Sequence, residues 1–415
     1  MIDSIIQVAD EVNQKSCSNI IGCKTEDVPE GVIGMIHINP DESNGGFVSQ
    51  DSTVSEEVYL GEDVQVCFGA NVSGTARILG NVTIRDAGTS VAGNPLIAGG
   101  VISIESGAKV LDQSRVTGNA IMAVGSKIFE SGTLTDNALA VGNIEISGNA
   151  DIGGNSFLVS FGDPTEKVEI KGNVKITDDY IIAQNAKVSG DFLFSGGPAA
   201  IVGHGVNITG KGDVSHANFS DNVTVDTTNL IASGNPDSNI LVFGDAKIYG
   251  SPKINDSAFV FGNSTLDEMA EISGQSLIFD DALITNGAKV KDSSFVFGQA
   301  IIRGSTVLSG SSSVGANCVL EGGTLINKIL PNISDPSDLD NQNCPGYYVP
   351  NPTTPMFAIS SMNRSNYVET TTSDEARLMR EEAYNNNKKL IDEAYKIRED
   401  FLNGNLRIPA GSLEE

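Results

Sequence analysis

The sequence predicts an all-β fold, a solenoid of short strands wound into stacked coils, and three observations carry that reading. From Val242 to Ile326 every sixth residue is aliphatic, beginning Val242, Ile248, Ile254, Val260 and Leu266 and ending Val314, Leu320 and Ile326. Four residues after most of these stands a small side chain, as in Ala246, Ala258, Ser264, Ala270 and Cys318, with Pro252 the one departure. Gly, Asn or Asp then falls at a corner, as in Gly244-Asp245, Gly262-Asn263, Asp280-Asp281 and Gly298-Gln299, where positive φ costs least. An amphipathic helix repeats at three, four and seven and a flat strand at two, so neither produces a period of six. Within each hexad the small residue and the next aliphatic point inward and the residues beside them outward. Three such sides close one triangular coil of about 18 residues.

These hexads resemble those of the hexapeptide-repeat superfamily. The resemblance implies a left-handed parallel β-helix and frequent assembly as a trimer. Taken in order, residues 1–50 are expected to cap the first coil, with Ile2, Ile5, Ile6, Ala9 and Val12 on one helical face and a strand over Val32–Ile38. An uncapped solenoid end leaves backbone groups and core open to water. The β-helix is expected over 51–330. Its hexads start at Val54, run to Ile84, resume at Ile104 after a long interval and continue to Leu158. Pro164 takes the next aliphatic slot, which predicts a protruding loop at 161–167, since Pro cannot donate to a central ladder. Ile170 to Phe194 restores the frame, and 196–239 is degenerate, which predicts irregular coils or insertions there. Pro331, Pro336, Pro345, Pro350, Pro352 and Pro355 mark 331–372 as an extended linker or strap. Ser373-Asp374-Glu375 begins a helix over 373–404, with Ala376, Met379, Ala383, Leu390, Ala394, Ile397 and Phe401 on one face and Gly404 as its stop, followed by a tail at 405–415.

Composition excludes several partners. Lys+Arg 26 against Asp+Glu 53 gives a formal net charge of -27, which repels nucleic-acid phosphates and anionic lipid heads. Neither nucleic acid nor membrane is expected as a partner, and imitation of DNA for a basic partner is disfavoured against simple solubility. No run approaches the ~18 apolar residues of a membrane span, and Met1-Ile2-Asp3-Ser4 lacks a basic start. The expected setting is cytoplasmic, or the virion if the chain is virus-encoded. Cys17, Cys23, Cys67, Cys318 and Cys344 are scattered and odd in number, and Cys318 fills an interior slot, so it is expected as a reduced core thiol.

Residues one coil apart should stack on one face. On one side the outward pairs are Leu241/Phe243, Phe259/Phe261, Leu277/Phe279 and Phe295/Phe297, whereas the other two sides carry Lys247/Tyr249, Thr265/Asp267, Lys253/Asn255, Glu271/Ser273 and Lys289/Lys291. Ile121/Ala123, Leu139/Val141 and Phe157/Val159 form a similar ladder upstream. An apolar exterior of this size calls for a cover: the chain's own 331–404, a neighbouring copy in a homotrimer, or an unidentified protein.

Chemistry is sparsely signalled. The only histidines are His37, His204 and His216. The superfamily resemblance implies that a His beside a coil acts as general base for acyl transfer, and His204, between Gly203 and Gly205, is the candidate. The zinc-binding branch of the same fold needs three His ligands, two close in sequence, so no metal is expected, and no cofactor either. Asp178-Asp179 and Asp280-Asp281 sit at corners, where Asp forms turns before it binds calcium. The sequence thus points to a non-enzymatic structural or interaction protein, a rigid acidic rod assembling through its apolar face with itself, as a trimer, or with another protein. Its setting is a bacterial cytosolic scaffold or a virion fibre or spike. The alternative is a hexapeptide-repeat acyltransferase with His204 as base and an acyl thioester as donor.

Overall fold

The computed structural model describes residues 20–330 except 25–27, 29, 161–166, 179, 197–198, 204, 235–239 and 316. The expected helices at 2–14 and 373–404, the strap at 331–372, the tail at 405–415 and the loop about Pro164 lie outside the described residues. The chain divides into two compact units, whose described parts are 20–160 and 167–330. Each is a parallel β-solenoid, and no helix occurs among the described residues.

The first unit opens with an antiparallel ribbon, Ile20–Gly22 against Val32–Ile38 and Val32–Ile38 against Asn44–Ser49. Asn44–Ser49 then pairs parallel with Gln65–Cys67, which brings the chain into the coils. Beyond residue 109 the register is regular. Lys109 faces Lys127 and then Glu145, Arg115 faces Thr133 and then Asp151, and Ile121 faces Leu139 and then Phe157. Each step is one coil of 18 residues by subtraction of these partners. The long interval before Ile104 is a wider coil: Arg77 pairs with Leu96, and the register shifts between Gly99 and Val101.

In the second unit the same spacing holds from Ile240 to Val319, with Lys247, Thr265, Leu283, Ile301 and Val319 on one side, and the last coil is shorter, Val307 pairing with Thr324 and Ser313 with Ile329. Lys253, Glu271, Lys289 and Val307 share the next side, and Leu241, Phe259, Leu277, Phe295 and Ser313 the third. The degenerate stretch 196–239 still winds: Ala199–Gly203, Asn207–Ser215, Ala217–Ser220 and Thr224–Gly234 are strands with parallel partners. What the hexads lose there is constant coil length. Lys187 pairs with Asn207, Asn207 with Thr224 and Thr224 with Lys247, so an alignment at fixed period loses the frame.

The interiors are filled as the repeat requires. Ile248, Ile254, Val260, Leu266, Ile272 and Ile278 are buried, with Ala246, Ala258, Ser264 and Ala270 in the small slots between them. Five described cores of this kind of slot carry a serine or threonine whose hydroxyl donates to the carbonyl three residues back, as Ser276 does to Ser273 at 2.6 Å and Thr306 to Arg303 at 2.7 Å. Ser126, Ser264 and Ser294 bury a hydroxyl with no such partner.

At the corners the acidic residues have a structural task that composition does not reveal. Asp112, Asp136, Asp256, Asp280 and Asp292 all take positive φ, between 58° and 62°, where Asp is better tolerated than most residues. Each carboxylate also accepts a backbone N–H from the next coil. Asp136 accepts from Gly154 at 3.0 Å, Asp256 from Gly274 at 2.9 Å, Asp280 from Gly298 at 3.2 Å and Asp292 from Gly310 at 2.8 Å. Coil is thus stapled to coil outside the strands. Asparagines do the same between side chains: Asn119 donates to Asn137 and Asn137 to Asn155.

The cysteines overturn the reduced-thiol expectation. Cys23 and Cys67 form a disulfide, with Cα atoms 6.1 Å apart, packed with Phe47 beneath the ribbon. Cys318 keeps its interior slot, fully buried, but it too is disulfide-bonded. Spacing could not reveal either, because the Cys23–Cys67 pair joins a residue before the coils to an outward position in them.

Candidate functional site

The phenylalanine face is built by one repeated choice: a strand of two or three residues whose central aliphatic points inward, flanked by large apolar residues pointing outward. In Phe259-Val260-Phe261, Val260 is fully buried in the core and the phenylalanines stand outside it. The coil repeat then puts equivalent rings above one another. Phe243 lies 4.8 Å from Phe261, Phe261 5.1 Å from Phe279 and Phe279 5.4 Å from Phe297, with interplanar angles of 1°, 5° and 12°. These separations track the ~4.8 Å between paired strands, so the rings are held in register by the backbone ladder. The last step is shaped by Gly315. A Cβ there would meet the Phe297 ring at 2.2 Å, so glycine makes room for the ring to lie flat.

The sequence called for a cover over this face, and its side chains are buried. Phe259 is 2%, Leu277 0%, Phe279 1% and Phe295 5% exposed, with Leu241 and Phe261 also buried and Phe243 and Phe297 partly so. Stacking alone covers ring faces and leaves outer edges open, and the other two sides show what the same positions look like there. Leu283, Ile301 and Val307, equally apolar and equally outward, are only half-buried. Ile326, expected inward as the last of the sixth-residue series, instead pairs with Ser309 and is 59% exposed, because the last coil is one residue short and Leu325 takes the place opposite Leu308.

In the first unit the ladder behaves likewise: Ala123, Leu139, Val141, Phe157 and Val159 are buried, and Ile121 half-buried. Elsewhere the outward residues pair along the coil direction. Lys289 bridges to Glu271 at 2.6 Å, Lys291 to the same carboxylate at 3.3 Å, and Arg303 to Glu321 at 2.7 Å. The Lys289 hydrogen bond, opposed by partial burial and helped by Lys291, holds the Glu271 carboxyl below the usual carboxylate value.

The histidines separate. His204 lies outside the described residues. His37, in the first unit, sets its Nε2 2.9 Å from the Val58 carbonyl. Beside it the buried Asn39 acts as a surrogate strand, accepting from the Leu60 N–H at 2.8 Å and donating to the Leu60 carbonyl at 3.0 Å. His216, in the second unit, stands at a corner with φ 47°, its ring against Gly196. No group of three or more His, Cys, Asp or Glu placed to hold a metal occurs among the described residues, and no helix there is long and apolar enough to cross a membrane.

Sequence reasoning missed Asn39, Gly315 and the corner carboxylates. The last had a signal: Asp136, Asp178, Asp256, Asp280 and Asp292 are each followed by glycine one coil on, at Gly154, Gly196, Gly274, Gly298 and Gly310. Compared with known proteins, the sequence matches no protein-family model and no curated protein.

Proposed function

We propose that this protein is a non-enzymatic structural or interaction protein: a rigid, acidic, left-handed β-helical rod of the hexapeptide-repeat kind, assembling as a homotrimer through the side that carries the phenylalanine ladder. The observation behind the reading is that ladder, four near-parallel rings maintained over successive coils. Keeping large apolar residues at outward positions coil after coil has no use in filling the core, which the inward aliphatics already do. It does make a straight, stiff strip along which another chain can pack. The antiparallel ribbon with Asn39 and His37 serves as the N-terminal cap in this reading.

The disulfides bear on the setting. Disulfides persist in oxidising surroundings and at virion surfaces and are rare in reducing cytosol, so the Cys23–Cys67 bond favours a virion fibre or spike over a cytosolic scaffold. Sedimentation equilibrium of the full chain at physiological salt tests the assembly: a trimer is expected, and a monomer at all concentrations refutes it. Assays of acyl transfer from a thioester donor, with His204→Ala as control, test the absence of catalysis. Turnover that the substitution abolishes would replace the scaffold with an acyltransferase.

A further inference from the structure

We propose that the ribbon end of the first unit is a self-association surface: the apolar face of Ile20–Gly22 and Val32–Ile38 packs against the same face of a second copy, head to head about a two-fold axis. This contact is separate from the phenylalanine face, and the homotrimer proposed above neither requires it nor implies it. Four observations lead to it.

First, the ribbon carries core-type residues with no core over them. Residues directly opposite in a ladder share a face; Met35 lies opposite Val48, and Val48 opposite the fully buried Val66. The inward side of the coils therefore continues up the ribbon as Met35, Ile33 and, across from Ile33, Ile21. In the coils such positions are sealed, as Val66, Ile78 and Ile84 are, but here Ile21 is 59%, Ile33 47% and Met35 50% exposed. The neighbouring side agrees: Val54 is half-buried, while Val72 and Val91, next along its column, are fully buried. The solenoid ends here on half a core.

Second, that half-core is held in place. The opposite face of the ribbon lies on Phe47, where a Cβ at Gly22 or Gly34 would meet the ring at 2.8 or 2.6 Å, so glycine lets the strands close onto it. The Cys23–Cys67 disulfide and the Cys23 N–H donating to Gln65 Oε1 at 3.2 Å tie the strand end to the coil. An apolar face ordered beforehand loses little entropy on docking. Third, charge selects the place. Copies of net charge -27 repel one another, and contact is least opposed where charge is absent; residues 31–40 contain no Asp, Glu, Lys or Arg.

Fourth, the topology favours a closed pair over a filament. Val32–Ile38 runs antiparallel along Asn44–Ser49 and covers the edge on which another copy could otherwise add its coils in parallel, head to tail. What stays open is the face, and a face that meets its own copy about a two-fold axis is self-complementary and closes, Ile21, Ile33 and Met35 of each copy covering those of the other. A patch on the order of a few hundred Å² falls short of the ~800 Å² per partner of a standard interface, so the association is reversible. A trimer would present three such ends together and strengthen it.

Sedimentation equilibrium of the full-length protein over a range of concentrations should show the basic species doubling, trimer to hexamer, or monomer to dimer should the trimer reading fail. Ile33→Asp, at an exposed position, should raise the dissociation constant of that doubling about 100-fold with the circular dichroism unchanged, and Ile33→Leu should leave it in place. No doubling in the parent, or a doubling indifferent to Ile33→Asp, overturns the proposal; the basic species reports on the trimer separately in either case. The photoreactive p-benzoylphenylalanine at Met35 gives a second reading that needs no disruptive change. We expect a product of twice the chain mass on a reducing denaturing gel, its cross-linked peptides containing Ile20–Gly22 or Val32–Ile38 of the second copy. A product of monomer mass gives the face to the chain's own residues and refutes the docking, as do cross-links to any other stretch, or none.

Discussion

Replacement of Asp292 separates the two jobs given to a corner carboxylate, holding a left-handed backbone and stapling the next coil. Its φ is 62°, and its Oδ2 accepts from the Gly310 N–H at 2.8 Å. In D292A the acceptor is lost, at about 0.5–1.5 kcal/mol for a net hydrogen bond. Alanine also lacks the local polar compensation that lets Asp adopt positive φ, about 1 kcal/mol more. The expected loss is about 1.5–2.5 kcal/mol by these two principles. D292G relieves the backbone and forfeits only the bond, about 0.5–1.5 kcal/mol. D292N retains both an oxygen acceptor and tolerance of the left-handed region, and should fall within about 0.5 kcal/mol of the parent. Urea denaturation gives the order Asp and Asn, then Gly, then Ala. Amide exchange at Gly310 should accelerate in the same order, since a solenoid coil depends chiefly on its neighbours. Asp213, in a strand rather than at a left-handed corner, is the control. If D292N is as damaging as D292A, charge and not the bond matters; if D292G equals the parent, the staple contributes nothing.

Three further outcomes are expected. Ser294→Ala removes a buried hydroxyl that has no partner, and since alanine fills the equivalent slot at Ala258, thermal denaturation should show a gain on the order of 1 kcal/mol; a loss would place an unseen partner at the hydroxyl. Asn39→Leu leaves the Leu60 N–H and carbonyl without their partners and should cost the first unit about 1–3 kcal/mol in urea, with early exchange of the Leu60 amide, whereas an unchanged midpoint denies the cap. Glu271 has its carboxyl lowered from 4.5 by Lys289 first, burial opposing. Its contribution is therefore present above pH 4.5 and lost as pH falls through the lower folded value. Stability against pH for E271Q should be flatter than the parent on that acid limb, and parallel curves would refute the linkage.

The sequence by itself determined the period. Bulky aliphatics at every sixth position from Val242, small residues between them and turn formers at the corners admit one economical winding. The coil spacing and the inward residues as far as Leu320, and the stacking of Phe243, Phe261, Phe279 and Phe297, follow from it, whereas in the shorter last coil Leu325 replaces Ile326 opposite Leu308. Local repetition was enough because each coil contacts little beyond its neighbours, so short-range pattern and three-dimensional contact coincide. Where contacts join residues outside that repeat, pattern was silent. The Cys23–Cys67 bond, the pairing of Asn39 with Leu60 and the variable coils between Lys187 and Lys247 depend on chain paths with no fixed interval. The burial of the phenylalanine side belongs to the same class. Periodicity states which way a side chain points, and only the tertiary structure decides whether water or protein meets it there.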